Sequence, residues 1–352
     1  MKQPLRVAIN GFGRIGRLVF RLGFADPDFE FVAVNDLGNA ENLVYLLQHD
    51  SVYRNFAKQM ELKTEEKSLG KTVSHGSFTV AGKQVLFLSE KDPANLPWKE
   101  LNIDLVIEST GVFESYAEAK VHLASGARRV LISAPAKDED GANGKTVLMG
   151  VNEDDLKTCQ ISSNGSCTTN SAHPVIRVLQ EKLGIKKAIL STIHAVTASQ
   201  NLVDGPTKGK DFRRGRSGVY NIVPSTTGAA TAVTRAVKDL QGKFDGLAYR
   251  VPVVAGSVSN ITFVASRPTT TEEVNQILTK ASQEPRWSKV LKVSTEQLVS
   301  SDIIGEECGA VVDSLMTKVV DGDLVTVLSW YDNEMGYTRT LIEHARKIKE
   351  IS

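Results

Sequence analysis

The stretch Ser163-Asn164-Gly165-Ser166-Cys167-Thr168-Thr169-Asn170 sets one cysteine among small hydroxylated residues. Behind it, Val175, Val178, Leu179 and Leu183 recur at helical spacing; ahead of it, Gln160-Ile161-Ser162 reads as the end of a strand. Cys167 is therefore expected at a strand-to-helix turn, near the positive end of a helix dipole, where the thiolate is favoured and the thiol pKa lowered. A thiolate so placed attacks a carbonyl when a base or an ion-pairing histidine stands beside it. The competing reading is a buried structural thiol, since free cysteine is among the most buried residue types; the polar neighbours favour chemistry. His194, in the strand-like run Ala188-Ile-Leu-Ser-Thr-Ile-His-Ala-Val, is the candidate partner. A neutral imidazole beside the thiol takes its proton, and the imidazolium then holds the thiolate.

A second set of residues points to a dinucleotide. Leu5 to Asn10 is a short apolar strand running into Gly11-Phe12-Gly13-Arg14-Ile15-Gly16, after which Ile15, Leu18, Val19 and Leu22 follow at helical spacing. Strand, glycine turn and helix in this order let a pyrophosphate approach the backbone and rest on a helix N-terminus. A second strand, Phe29 to Val34, ends at Asn35-Asp36. Asp36 stands where a ribose-binding acid is expected; its carboxylate accepts from adenosine ribose hydroxyls and repels a 2′-phosphate, favouring NAD over NADP. Two more buried strands, Ile103–Glu108 and Arg129–Ala134, end in the small-residue turns Ser109-Thr110-Gly111 and Ser133-Ala134-Pro135. Ligands bind at such carboxyl ends, so Thr110 and Ser133 are candidate nicotinamide-side contacts, or simple turn residues.

A third set suits anions. Ser225-Thr226-Thr227-Gly228-Ala229-Ala230 opens a helix whose hydroxyls and N–H groups can cradle a phosphate. Arg250, in Tyr-Arg-Val-Pro, is a charge among apolar neighbours that needs a partner, and a substrate phosphate suits it. The run from Gly205 to Ser217 reads first as a basic solvated loop, with phosphate binding or a reach into a neighbouring subunit as alternatives. Together the three sets describe one chemistry. A thiolate attacks an aldehyde, the hemithioacetal gives hydride to NAD, and the thioester is cleaved by water or phosphate.

The elements that must position these residues fall into two patterns. Up to about residue 166 strands and helices alternate, with a helix over 39–48, a charge-rich surface excursion over 58–71 and a hairpin from Phe78 to Leu88 about Ala81-Gly82. Beyond Cys167, strands dominate: Lys187–Thr197, Leu247–Val254, Val258–Ser266, Gly309–Val319 and Leu324–Trp330, with helices over Gly228–Leu240 and Thr271–Ser282. This predicts a doubly wound α/β, Rossmann-type NAD domain followed by an α+β catalytic domain with a mixed or antiparallel sheet. An amphipathic helix over Thr338–Ile351 is expected to pack back on the first domain. At 352 residues the chain is long enough for two cores, and 41% hydrophobic with 24% charged residues is ordinary globular composition. A net charge of +1 gives no field that draws nucleic acid or membrane. Three cysteines are too few for a disulfide framework and suit a reducing compartment, so a cytoplasmic location is expected. No metal site is expected.

These residues closely resemble the phosphorylating glyceraldehyde-3-phosphate dehydrogenases over almost the whole chain. The likeness is carried by Ile9-Asn-Gly-Phe-Gly-Arg-Ile-Gly-Arg17, Ser166-Cys-Thr-Thr-Asn170, Thr192-Ile-His-Ala195, Val203-Asp-Gly-Pro206, Arg250-Val-Pro252 and Trp330-Tyr-Asp-Asn-Glu334. The resemblance implies Cys167 as nucleophile and His194 as its activator. It implies Ser166, Thr168, Thr227 and Gly228 as the site of attacking inorganic phosphate, and Thr197 and Arg250 as the substrate-phosphate site. Arg14, Ile15, Asp36, Lys91, Ser133 and Asn333 match NAD contacts, with Asn333 on the nicotinamide amide. It further implies an NAD-binding domain of residues 1–166 with 333–352, a catalytic domain of 167–332, and a homotetramer in which the 205–223 loop lines a neighbour's NAD site. The sequence departs from the family in places. Gly165 replaces an alanine, Ser171 replaces a second cysteine found in many members, and His173 is unusual on that helix. The motif His49-Asp-Ser-Val-Tyr-Arg54 replaces the family's Tyr-Asp-Ser-x-His-Gly, and Lys91 stands where some members have arginine. Rivals are erythrose-4-phosphate dehydrogenase, whose loop after the histidine usually differs from Asp204-Gly-Pro206, and a non-catalytic NAD-binding protein that keeps the fold.

Overall fold

The computed structural model describes residues 3–56, 58–69, 72–207 and 210–351. The chain forms two compact units: Met1–Val147 with Glu153–Asn164 and Leu341–Ser352, and Leu148–Asn152 with Gly165–Thr340.

The first unit begins β1 (Leu5–Asn10), α1 (Arg14–Gly23), β2 (Phe29–Asn35) and α2 (Ala40–Gln48). An antiparallel group follows: β3 (Met60–Lys63), β4 (Lys67–Leu69), β5 (Thr72–Val80) and β6 (Lys83–Leu88). Then come β7 (Leu105–Glu108), α3 (Tyr116–Ala124), β8 (Arg129–Ile132), β9 (Lys145–Thr146) and β10 (Ile161–Ser163). The sheet runs β3-β5-β6-β2-β1-β7-β8-β10-β9, with β4 on β5. From β6 to β9 its ladders are parallel, so order reverses about β1 and β7 and a crevice opens at their carboxyl ends. This is the expected doubly wound NAD fold. Its aromatic core gathers Phe12, Phe20, Phe31 and Phe78 with ring centroids 5.3–6.1 Å apart.

The excursion expected over 58–71 is not a solvated loop. β3 and β4 pair antiparallel with β5 and extend the sheet edge. Residues of β3 alternate between partly covered and exposed, and its Glu and Lys side chains are the charges that keep an edge strand from pairing further. Ala81 and Gly82 both have positive φ, as the tight hairpin turn between β5 and β6 requires.

The glycine turn after β1 is sterically compulsory. Gly11 has φ +94°, and a Cβ there would lie 2.6 Å from the Ser109 and Thr110 backbone. Gly11→Ala is expected to lower stability by at least about 2 kcal/mol, seen as a fall of several degrees in the unfolding midpoint. An unchanged midpoint would mean that the β1–β7 approach is looser than this geometry.

The second unit holds α4 (Cys167–Lys182), β11 (Ile185–His194), β12 (Val223–Thr226), α5 (Ala229–Ala236), β13 (Phe244–Arg250), β14 (Ser257–Ala265) and α6 (Thr271–Gln283). β15 (Leu291–Ser294), β16 (Ala310–Val320), β17 (Leu324–Tyr331) and α7 (Met335–Ile351) complete it. The sheet order β12-β13-β11-β14-β17-β16-β15 is mixed: β11 is parallel to β13 and β15 to β16, and the other neighbours are antiparallel. The unit boundary falls within α7, whose last residues belong to the first unit. There Arg346 bonds Asp26 at 2.7 Å and Lys349 bonds Asp28 at 2.5 Å.

Three departures from the family pattern find local reasons. Gly165 has φ +64°, and a Cβ there would press on the Thr169 side chain at 2.8 Å. Ser171 is buried and donates to the hydroxyl of Ser259 at 3.1 Å within a serine cluster that includes Ser329. His173 is buried with Nε2 2.9 Å from the Met149 carbonyl and Nδ1 3.2 Å from that of Thr169. Burial pushes its pKa to about 4, so it is a neutral tether between α4 and the 148–152 segment.

Candidate active site

Cys167 is the first residue of α4. The N-cap is Ser166, whose hydroxyl accepts from Thr169 N–H at 3.1 Å while its own N–H donates to the Thr169 hydroxyl at 3.1 Å. This capping box ends the turn begun at Gly165 and fixes the cysteine at the helix start. His194 is the last residue of β11 and Arg250 the last of β13, and the parallel register sets the two side by side. Cys167 Sγ lies 3.3 Å from His194 Nε2. His194 Nδ1 is 2.7 Å from the Ala195 carbonyl oxygen and 2.6 Å from Arg250 Nη1. Tyr331, ending β17, hydrogen-bonds the hydroxyls of Thr168 at 2.9 Å and Thr192 at 2.7 Å, and sets its ring edge-on to the imidazole at 5.9 Å. Tyr331 enters the sequence reading only as part of a motif, since nothing local shows it facing the histidine.

The electrostatics differ from the helix-dipole expectation. Cys167 keeps part of its surface open, yet burial pushes its thiol pKa up. The Arg250 charge and hydrogen bonds from Thr168 act the other way without overcoming it. Burial, then Arg250, pushes His194 down to about 3. The resting pair is therefore neutral thiol and neutral imidazole, and the thiol proton must pass to the ring when the sulfur attacks. Cys159 and Cys308 are buried and their thiols are pushed up to about 11, with no histidine bonded to either sulfur among the described residues.

Arg250 is largely buried and, among the described residues, makes no ion pair with a carboxylate; its hydrogen bonds run to His194 and the Ala195 carbonyl. Arg214, whose charge bears on Arg250, donates to Ser225 Oγ at 2.8 Å. Arg250, with no carboxylate bonded to it among the described residues and a second guanidinium nearby, makes a place for an anion. The sequence reading does not single out Arg214; its clustering with Arg213 and Arg216 is the available signal, but those two pair with Asp211 and Asp204. Lys208 and Gly209 of this loop lie outside the described residues. Thr197 Oγ1 bonds Ser199 Oγ at 2.9 Å. Gly228 is the N-cap of α5 and offers it no side-chain cap, while Thr227 Oγ1 accepts from Ala229 N–H at 3.2 Å. The Thr168 hydroxyl is already engaged by Tyr331.

In the first unit a cleft of about 490 Å³ is lined by Gly11, Gly13, Asp36, Leu37, Lys91, Pro93, Thr110 and Phe113, among others. α1 starts beside it with Gly13 as N-cap, no capping side chain and no acid in its first turn, and a Cβ on Gly13 would meet nothing. That is a helix end suited to a pyrophosphate. Asp36 is held at the rim, accepting from Phe12 N–H at 2.7 Å and Gly38 N–H at 2.8 Å, with lone pairs left for ribose hydroxyls. The residues present thus fit a dinucleotide. Phe12 contributes backbone, its ring being in the core. Arg14, Ile15 and Ser133 are not among the lining residues. Arg14 pairs with Asp50 at 2.5 Å over the Tyr53 ring, within the segment that departs from the family. Ser133, just past the end of β8, donates its N–H to the backbone carbonyl of Glu108 at 2.9 Å. Asn333 lies in the second unit, its amide oxygen accepting from Ser257 at 3.1 Å.

Glu108 is absent from the sequence-based candidates. Its buried carboxylate accepts from Asn10 Nδ2 at 2.6 Å, from Thr110 N–H at 2.8 Å and from the Thr110 hydroxyl. His122 Nδ1 takes the Trp98 N–H at 3.1 Å, so its Nε2 carries the proton donated to Glu108 at 3.0 Å. An acid at the end of an apolar strand was the available signal.

Among known proteins, the model of the glyceraldehyde 3-phosphate dehydrogenase NAD binding domain matches residues 5–116, and that of its C-terminal domain matches residues 166–333. The chain is 45% identical over 342 residues to glyceraldehyde-3-phosphate dehydrogenase 2 of Streptomyces avermitilis, covering 96% of this chain and 97% of that protein. It is 42% identical over 346 residues to the Geobacillus stearothermophilus glyceraldehyde-3-phosphate dehydrogenase, covering 98% of each. With the Thermotoga maritima enzyme it shares 45% identity over 341 residues, 96% of this chain and 97% of the other. A thiol paired with an imidazole, a carboxylate-free arginine beside them and a dinucleotide cleft are thus joined by full-length likeness: the chain belongs to the glyceraldehyde-3-phosphate dehydrogenase family.

Proposed function

We propose that this chain oxidises D-glyceraldehyde 3-phosphate to 1,3-bisphosphoglycerate with reduction of NAD, in glycolysis and gluconeogenesis, with Cys167 as nucleophile and His194 as its acid–base partner. The observation that carries the assignment of roles is the 3.3 Å approach of Cys167 Sγ to His194 Nε2, in reach of the carboxylate-free Arg250. The Sγ lone pair attacks the aldehyde carbon, the carbonyl π electrons move to its oxygen, and the thiol proton passes by way of His194 Nε2 to that oxygen, leaving a neutral hemithioacetal and a neutral imidazole. Gly11, Gly13, Asp36, Lys91 and Thr110, with Asn333 as the expected amide partner, would hold NAD, which when bound would supply the hydride acceptor for oxidation of the hemithioacetal to a thioester. His194 takes the hydroxyl proton in that step. Inorganic phosphate held by Ser166, Thr168, Thr227 and Gly228 then attacks the thioester, and Cys167 leaves as thiolate. Arg250, Thr197 and, from its position, Arg214 hold the substrate phosphate.

The proposal includes a division into an NAD-binding domain of residues 1–166 and 333–352 and a catalytic domain of 167–332. It also includes a cytoplasmic homotetramer. The second unit exposes Leu202, Val203, Tyr220 and Ile222 at 69% or more, apolar surface that a second copy would cover. No helix among the described residues is long and apolar enough to cross a membrane.

The test is NADH formation from glyceraldehyde 3-phosphate and NAD, with and without inorganic phosphate. Fast, phosphate-dependent reduction is expected. Better use of erythrose 4-phosphate without acceleration by phosphate would replace this reading with the erythrose-4-phosphate one. NAD binding with no reduction of either aldehyde would mean a fold kept for binding.

A further inference from the structure

Glu108, the last residue of β7, ends two hydrogen-bond relays whose directions are forced. One begins at the Trp98 indole N–H, which can only donate. It gives to His122 Nδ1 at 3.1 Å, so the single ring proton sits on Nε2 and goes to Glu108 Oε2 at 3.0 Å. The other begins at the Glu90 backbone N–H, which donates to Asn35 Oδ1 at 2.8 Å. Asn35 Nδ2 donates to Asn10 Oδ1 at 2.7 Å, and Asn10 Nδ2 donates to the same Glu108 oxygen at 2.6 Å. Oε1 accepts from the Thr110 N–H at 2.8 Å and from the Thr110 hydroxyl, whose own oxygen takes the Val112 N–H at 3.1 Å. Every bond to the two buried oxygens is therefore accepted, and no position is left for a proton. Glu108 is a carboxylate held by neutral donors, with no lysine or arginine bonded to it among the described residues.

Asn10, Asn35, Glu90, Thr110 and Val112 all line the dinucleotide cleft, so this charge lies beneath the cleft floor. Topology decides which half of the cofactor lies over it. A dinucleotide crosses the crevice where the strand order reverses, with its pyrophosphate at the start of α1 and its adenosine ribose on the acid after β2, here Asp36. In the strand order β6-β2-β1-β7-β8 the adenosine half thus falls on the β2 side and the nicotinamide half on the β7 side, where Glu108 is. The nicotinamide ring is cationic in NAD and neutral in NADH. A buried charge reaches it through protein and is screened less than a surface charge. We propose that Glu108 is a specificity-determining residue for the oxidation state of the cofactor: its unpaired carboxylate makes the cleft favour NAD over NADH. This rests on the reading of the cleft as the NAD site with the ribose at Asp36. Glu90 also lines the cleft, but its carboxylate is turned to the Thr72 hydroxyl at 3.3 Å and the Asp92 N–H at 2.8 Å, on the β6 side. The consequence is a cleft that loads the oxidised cofactor and releases the reduced one.

The test is the calorimetric affinity of the full-length protein for NAD and, separately, for NADH, in wild type and in Glu108→Gln. The ratio of the two affinities is read, because a merely loosened cleft weakens both forms by the same factor. Glu108→Gln is expected to move the ratio toward NADH by about three- to tenfold, as loss of one unit charge does in a partly screened site. Glu108→Asp keeps the charge and should hold the ratio nearer that of wild type, even where both affinities fall. Asp36→Asn touches the half common to both forms and should weaken both while leaving the ratio in place. A glutamine amide turns a donor toward donors, and that variant could fail to fold. In that case the carboxyl 13C resonance of Glu108 in glutamate-labelled wild type is the readout. It is expected at the ionised position in the free protein, and to move further on binding NAD than on binding NADH. A ratio unmoved in Glu108→Gln or moved toward NAD, a protonated Glu108, or equal movements of its resonance would overturn the proposal and leave the NAD site standing. Failure of the wild type to bind either form would overturn the NAD reading itself.

Discussion

Cys167→Ser is expected to reduce NADH formation by about 10⁴- to 10⁶-fold while leaving NAD affinity within a factor of about two. An alcohol ionises far above a thiol, and His194 is pushed down to about 3, so it is too weak a base to take an alcohol proton. Neither of the other thiols can stand in, since Cys159 and Cys308 are buried and pushed up to about 11. The cofactor side should not notice the change, because the dinucleotide cleft is lined by residues of the first unit. Stability should hold as well: serine is at home in the first turn of a helix, and the Ser166–Thr169 capping box is untouched. NADH formation would be followed with saturating aldehyde, NAD and phosphate, and NAD affinity by calorimetry. Turnover near the wild-type rate would remove the thiol from the mechanism, and a parallel loss of NAD affinity would point to a disturbed fold instead.

What the sequence shows of this site follows from how local each feature is. The strand–glycine–helix unit at residues 5–23 is legible because spacing, turn chemistry and the apolar run all lie within one short segment, and Leu5–Asn10 and Arg14–Gly23 form as expected. The helix start at Cys167 is legible for the same reason. The meeting of Cys167, His194 and Arg250 is not local. It needs the start of α4 set against the end of β11, and the His194–Arg250 pairing exists only through a parallel register between strands whose paired ends lie 56 residues apart. The family resemblance supplied what pattern could not. The sign of the Cys167 shift is not legible in the sequence, because dipole and neighbours can be read there, whereas the depth of burial cannot. Residues 58–71 misled in another way: Glu and Lys read as solvated chain, yet they are also what an edge strand carries. β12 and β15 are only four residues each, and a proline lies within β12, too little to register as strand.

His194→Asn separates the pairing from the fold. Asparagine keeps a polar side chain of similar reach but cannot take a proton, so oxidation is expected to slow by about 10²- to 10⁴-fold. The more telling result is the pH profile of thiol alkylation. In the wild type the thiol proton has an acceptor at 3.3 Å. In the variant the thiol must ionise to solvent against the burial that pushes its pKa up, helped only by Arg250 and the hydrogen bonds around Thr168. Thiolate is the deprotonated form, so a higher pKa means less of it at neutral pH. The profile should therefore move to higher pH, past the ordinary thiol value of about 8.5, with alkylation at least about tenfold slower near neutrality. At high pH the two proteins should converge, because there both thiols are ionised and the base has nothing left to do. Convergence is what a damaged site would fail to show, since misplacement of Cys167 slows alkylation at every pH. Superimposable profiles would mean that the 3.3 Å contact carries no proton, and His194 would then have to be assigned a role in positioning alone.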